Sequence, residues 1–198
     1  MNRRHTLMLT VAGAALAALL AAVLLGVKVA AAGWLIAFFY VGAISLGSLA
    51  LLLIHRLTGG HWGDALRPLL EPAAACIPLL AVLFVPVLIA TPLLYPWFEG
   101  AGDVKPDVAA LYLNMPLFVV RAVISFVGWS VLALALSRIG GRAGTLLAAV
   151  GLIFYAVTIS LVSVDWVLSG EPVFISTSFG ASVAIMQLLA ALAFAAMV

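Results

Sequence analysis

Residues 144–166 read GTLLAAVGLIFYAVTISLVSVDW, with no charged side chain from Gly144 to Val164 and then Asp165 and Trp166. A run of this length and apolarity matches the ~20 residues that an α-helix needs to cross ~30 Å of hydrocarbon. A soluble core strand or helix would be shorter and more often interrupted. The Asp-Trp ending, followed by LSGEP, marks a return to the water boundary, where Trp sits well and a carboxylate costs less than at mid-bilayer. This stretch is therefore a membrane helix, and the rest of the chain is read outward from it.

Similar apolar runs recur at about 7–27, 33–54, 73–94, 115–137, 143–165 and 176–198. The expected fold is all-α: a polytopic membrane helix bundle of about six transmembrane helices, forming a single transmembrane helical domain over 1–198. Composition agrees, because 67% of the 198 residues are hydrophobic and 8% are charged, with a mean hydropathy of +1.33, whereas soluble domains carry roughly a quarter charged residues. The run at 7–27 follows Arg3 and Arg4 like a signal peptide, but its apolar core exceeds the usual ~7–15 residues of such a segment. The last residues, LAALAFAAMV, lack the polar flank that closes a membrane helix, which fits a C-terminally truncated part of a longer subunit.

With the N-terminus cytoplasmic, Arg3, Arg4, Arg56, Arg67, Arg138 and Arg142 face inward, and only Lys28 and Lys105 among the basic residues face outward. That distribution obeys the positive-inside rule and supports a multi-pass protein in this orientation. Glu99, Asp103, Asp107, Asp165 and Glu171 then give an acidic outer surface. The net charge of +2 is too small and too scattered for nucleic acid. The single Cys76 excludes an internal disulfide or a self-held iron–sulfur cluster, and it is read as inert helix packing.

The third run contains Pro78, Pro86 and Pro92, each removing a backbone donor, so it is expected to be Pro-kinked with its freed carbonyls satisfied by neighbours or water. Its exit, TPLLYPWFEGAGDVKPD, carries Tyr95, Trp97 and Phe98 at headgroup level and forms the longest outer loop. Small residues at four-residue spacing, Gly33/Ala37, Ala43/Gly47 and Gly144/Ala148, permit close helix contact. Between the second and third runs, IHRLTGGHWGDALRPLLEP continues into a short amphipathic helix at the inner interface, with Trp62, Leu66, Leu69 and Leu70 on one side.

Polar groups inside the spans need partners. Arg121 lies about two turns into the fourth helix, where a cation costs several kcal/mol unless paired, hydrated or snorkelling. Asp165 ends the fifth helix on the same side, so either the two form an ion pair or Arg121 reaches the headgroups and Asp165 closes a helix. Thr158, Ser160 and Ser163 lead towards Asp165 and Gln187 sits mid-membrane; they line a hydrated path or bond to their own helices. At the inner side His55 and His61 are boundary residues, either able to exchange protons near neutral pH, and Asp64 follows in the same segment. The candidate proton path or structural ion pair thus comprises Arg121, Asp165, Glu171, Ser163, Gln187, His55, His61 and Asp64. No catalytic nucleophile–base pattern, metal-ligand set or phosphate loop stands out, and no histidine lies deep enough for a buried bis-histidine haem.

Two segments are more specific. HRLTGGHWG (55–63) and SVDWVLSGEPVFISTSFG (163–180) resemble motifs of the F-type membrane subunit of alternative complex III, the quinol:cytochrome c oxidoreductase, related to NrfD/polysulfide-reductase membrane subunits. The matching positions are His55, Gly59, Gly60, Trp62 and Gly63, then Asp165, Trp166, Ser169, Glu171, Pro172, Ser176, Thr177 and Gly180. Family members commonly carry a His-Trp or similar pair after the Glu-Pro, where this chain has Val173 and Phe174, and they are longer, with additional helices.

The resemblance implies a haem-free, non-redox subunit beside a homologous quinol-binding subunit. Quinol, haem c and iron–sulfur clusters would belong to partner subunits, and a terminal cytochrome c oxidase would receive the electrons. The family subunit has been proposed to carry proton half-channels. A non-catalytic scaffold or anchor of a respiratory supercomplex is the alternative. A small-solute transporter ranks last, since only the Pro-bearing helix hints at a broken span.

Overall fold

A computed structural model describes residues 3–99, 108, 111–171, 174 and 176–197. Asp103, Lys105, Asp107, Pro172 and Val173 lie outside the described residues, as do the side chains of Arg3, Arg4 and Glu99. Among the described residues every regular element is helical: α1 (Arg3–Leu24), α2 (Lys28–Thr58), α3 (His61–Ala75), α4 (Ile77–Ile89), α5 (Thr91–Leu94), α6 (Met115–Leu136), α7 (Gly141–Trp166) and α8 (Phe179–Met197), with short 3₁₀ turns at Pro96–Glu99 and Leu168–Gly170.

Among the described residues, five helical stretches are long and apolar enough to cross a membrane: Lys28–Thr58, His61–Ile89, Met115–Leu136, Gly141–Gly170 and Phe179–Met197. In α1, which runs from Arg3 to Leu24, the described side chains begin at Gly13, and Gly13–Leu24 is apolar. At 31 residues α2 is about 46 Å long, more than a ~30 Å hydrocarbon layer requires, and it ends in the polar HRLT.

α2 is the centre of the bundle and touches α1, α3, α4, α6, α7 and α8, most extensively α8. The crossing with α8 is close because Gly47 lacks a side chain: a Cβ there would overlap the backbone carbonyl of Gln187 and meet the Cβ of Ala191 at 3.0 Å. Gly33, expected to serve similarly, faces open space. Ala148 is fully buried.

Local sequence explains the helix ends. Asn114 caps α6 by accepting a hydrogen bond from the Leu117 amide (3.0 Å), and Pro116 fits the first turn, where its missing N–H costs nothing. α2 stops at Gly59 and Gly60, whose φ values of 68° and 99° suit glycine alone among common residues.

The proline-bearing run is divided at Cys76 and Ala90, and Pro78 and Pro92 open the segments that follow. The carbonyl of Leu88, four residues before Pro92, accepts from the Thr91 hydroxyl at 2.9 Å, supplying the donor that proline lacks. Cys76 is exposed, which corrects its reading as a packing residue; it occupies the break between α3 and α4, and its thiol donates to the Pro72 carbonyl. α3 is amphipathic, with Gly63, Leu70 and Ala74 as its buried stripe, while Trp62 stays 41% exposed.

Candidate functional site

The feature with the most concentrated chemistry lies where α6 and α7 meet near the Asp165 end of the bundle. Arg121 projects from the second turn of α6 and grips Asp165 with two nitrogens: Nε to Oδ2 at 2.5 Å and Nη2 to Oδ1 at 2.9 Å. Asp165 is fully buried and the Arg121 side chain is 14% exposed. This is the fork-to-carboxylate geometry that gives Arg its advantage over Lys in buried pairs.

Arg121 has a further anchor in the segment before α6. Its Nη2 donates to the Tyr112 carbonyl at 3.0 Å, and its guanidinium carbon lies 4.0 Å from the centre of the Tyr112 ring. Burial, and then the negative charge of Asp165, push the Tyr112 phenol above its ordinary range, so it stays protonated. Ser169 donates to the backbone carbonyl of Asp165, and Ser125 to that of Arg121. Glu171, grouped with this pair on sequence grounds, is exposed and is not among Arg121's partners.

Beside the ion pair, Trp166 sits at the middle of an aromatic cluster. Its ring centre is 4.4 Å from Phe84, 5.4 Å from Phe126 in a stacked arrangement, and 5.8 Å from Phe38. Tyr95 donates to the Trp166 carbonyl at 3.0 Å, and Trp97 packs on Phe118. Of the aromatic residues expected at headgroup level, Phe98 is 41% exposed whereas Tyr95 and Trp97 are buried. Their stacking against α6 and the end of α7 removes large ring faces from solvent.

Deeper groups pair locally. Tyr155 donates to Gln187 Oε1 at 2.6 Å, and Trp129 Nε1 to the Thr158 hydroxyl at 2.9 Å. Thr158, Ser160 and Ser163 each donate to a carbonyl of their own helix. Ser163 and Thr158 are buried whereas Ser160 is exposed, so the three hydroxyls do not share one face.

At the opposite end, His55 Nε2 is 3.0 Å from the Gly60 carbonyl and 3.7 Å from Asp64. Its ring fills the space that a side chain at Gly63 would need and meets Trp62 edge-on. Arg56 donates to the Ile139 carbonyl at 2.7 Å, tying the end of α2 to the α6–α7 turn, and Arg67 pairs with Glu71 at 2.6 Å. Together they border a half-open cleft of about 280 Å³. His61 is exposed at the start of α3 and does not line it. No group of three or more potential metal ligands occurs among the described residues.

The sequence offered an Arg121–Asp165 pair as one of two alternatives and grouped His55, His61 and Asp64 at one end without pairing them; the structure brings Arg121 to Asp165 and His55 near Asp64. Sequence reading missed Tyr112, the Tyr155–Gln187 and Trp129–Thr158 bonds and the Arg56 tie, all of which join residues on different helices or turns. The available signal was the presence of hydroxyl and indole groups in apolar runs, each of which needs a partner once buried. The chain matches no protein-family model, and no curated protein matches it.

Proposed function

We propose that this chain is a haem-free integral membrane subunit of a bacterial respiratory quinol:cytochrome c oxidoreductase, and that within it the chain is a framework element that holds neighbouring subunits. The respiratory part of the reading rests on the likeness of HRLTGGHWG and SVDWVLSGEPVFISTSFG to the F-type subunit of alternative complex III. The proposed topology has six spans, the first being α1, with the N-terminus cytoplasmic and a bend at the prolines of the third. Quinol, haem c and iron–sulfur centres belong to partner subunits, among them a homologous quinol-binding subunit.

The observation that carries the framework role is that the motif residues hold the chain together. Gly59 and Gly60 break α2, His55 closes the turn against Gly60, and Gly63 makes room for the His55 ring. Asp165 ties α7 to α6, Trp166 centres the aromatic cluster, and Ser169 bonds back to Asp165. Gly180 lets α8 approach α7, since a Cβ there would lie 2.8 Å from Ser160 Cα.

Proton transfer would require titratable groups joined by water. Both Asp165 oxygens are engaged by Arg121, and the hydroxyls towards mid-membrane bond to their own helices. That arrangement favours the framework role over a relay through this chain.

Purification in mild detergent tests the proposal. Co-purification of other membrane subunits with c-type haem and iron–sulfur signals is expected, and removal of this chain should disassemble the complex. Isolation of the chain alone as an active solute transporter would overturn it.

A further inference from the structure

The cleft at the arginine-bearing end combines charges of both signs with an apolar border. Arg56 and Arg67 supply two positive charges, Asp64 and Glu71 two negative ones, and Leu52 and Leu136 provide an apolar border. A purely anionic ligand would meet as many repulsive as attractive charges there, and so would a purely cationic one. Arg67 already pairs with Glu71 at 2.6 Å and Asp64 lies 3.7 Å from His55, all but His55 at partly exposed positions, and a ligand carrying both signs can add to both sets without leaving either uncompensated. The volume of about 280 Å³ lies at the small end of ligand sites, which suits a headgroup better than a ring with a long tail.

We infer that this cleft binds the zwitterionic headgroup of a phospholipid bearing a primary ammonium, of the phosphatidylethanolamine type. The phosphate faces Arg56 and Arg67, whose planar guanidinium groups match phosphate oxygens. The ammonium faces Asp64 and Glu71, which accept its N–H hydrogen bonds. A quaternary ammonium has no N–H to donate and prefers an aromatic cage, so a choline headgroup fits less well. The location is appropriate: the apolar part of α2 gives way to His55 and Arg56 at the cleft, and Leu52 and Leu136 provide apolar contact for the glycerol and first methylenes. Basic pockets between helices take anionic headgroups; the two carboxylates here direct the cleft to a zwitterionic one instead. The inference depends on the chain spanning a membrane and not on the respiratory assignment.

Native mass spectrometry of the chain, purified in mild detergent and exposed to equal amounts of phosphatidylethanolamine, phosphatidylcholine and phosphatidylglycerol, tests it. One phosphatidylethanolamine should be retained with about tenfold preference over phosphatidylcholine, equivalent to ~1.4 kcal/mol. Arg67→Gln should lower retention of phosphatidylethanolamine and phosphatidylcholine alike, while Asp64→Asn with Glu71→Gln should erase the preference between them. These positions are surface-exposed, so folding should survive, with thermal unfolding as the control. Equal retention of the ethanolamine and choline lipids, preference for phosphatidylglycerol, or a preference unaltered by the carboxylate variants would overturn the inference. Displacement of the lipid by an equal concentration of glycerophosphoethanolamine would mark a site for soluble phosphodiesters and refute the membrane source.

Discussion

Replacing Asp165 with Asn should leave Arg121 as an under-compensated cation within the bundle. The wild-type pair joins a fully buried carboxylate to a guanidinium that is 14% exposed, through two hydrogen bonds. Removing one partner of a buried pair typically costs ~3–5 kcal/mol, because the surviving charge stays buried without compensation. Two features place Asp165→Asn at the lower end: Asn retains a carbonyl acceptor, and Arg121 keeps its bond to the Tyr112 carbonyl and its position over the Tyr112 ring. The expected loss is therefore about 3 kcal/mol, a fall in Tm of ~6–12 °C on the scaling for chains of this size. Near-UV circular dichroism of the detergent-purified chain would follow it, since Trp166 packs beside the pair. The double variant Arg121→Met/Asp165→Leu removes both charges and should recover most of the loss, as apolar replacements of buried pairs commonly do. A Tm for Asp165→Asn within about 1 °C of wild type would refute the reasoning and favour an Arg121 that snorkels to the headgroups.

Other outcomes follow from the same structure. Gly47→Ala should destabilise by about 1–3 kcal/mol because its methyl group meets backbone of α8, which cannot rotate away; thermal unfolding measures it. Tyr155→Phe removes the donor to Gln187 and should cost about 1 kcal/mol, whereas Tyr155→Phe with Gln187→Leu should cost less than Tyr155→Phe alone. The Tyr95 and Tyr112 phenols are held above their ordinary value of 10.0, chiefly by burial. The folded chain therefore keeps protons that the unfolded chain releases, so stability is intact below pH 10 and falls as pH rises beyond it. Tyr112→Phe should flatten part of that alkaline fall in a pH series of unfolding midpoints.

The fold class was legible because hydrocarbon imposes a coarse rule: a long apolar run must satisfy its backbone internally, and a helix does so without reference to any other part of the chain. The 144–164 run therefore announces itself. The break at Gly59-Gly60 was legible for a similar reason, because those residues act locally, whereas α2 runs from Lys28 to Thr58, beyond the 33–54 apolar run at both ends.

Pairing was harder to read. For Arg121 the sequence leaves two outcomes, an ion pair with Asp165 or a reach to the headgroups, and the structure shows the pair. Tyr112 was not foreseen as a partner, because an aromatic residue before a helix is ordinary at a membrane boundary and nothing local says that Arg121 will reach back to it. Cys76 was assigned to packing from its apolar surroundings, yet the break between α3 and α4 leaves it exposed.

By itself, the sequence determined that the chain is a helical membrane protein, where its apolar segments lie and which buried polar groups require compensation. Those properties follow from residue composition and spacing along one strand of chain. Only the tertiary structure decided that Gly47 would be the close crossing while Gly33 faces open space, that Tyr155 would answer Gln187, and that Arg56, Asp64, Arg67 and Glu71 would border one cleft. The physical reason is that these contacts depend on the rotation and depth of each helix relative to its neighbours, set by side-chain packing across the whole bundle.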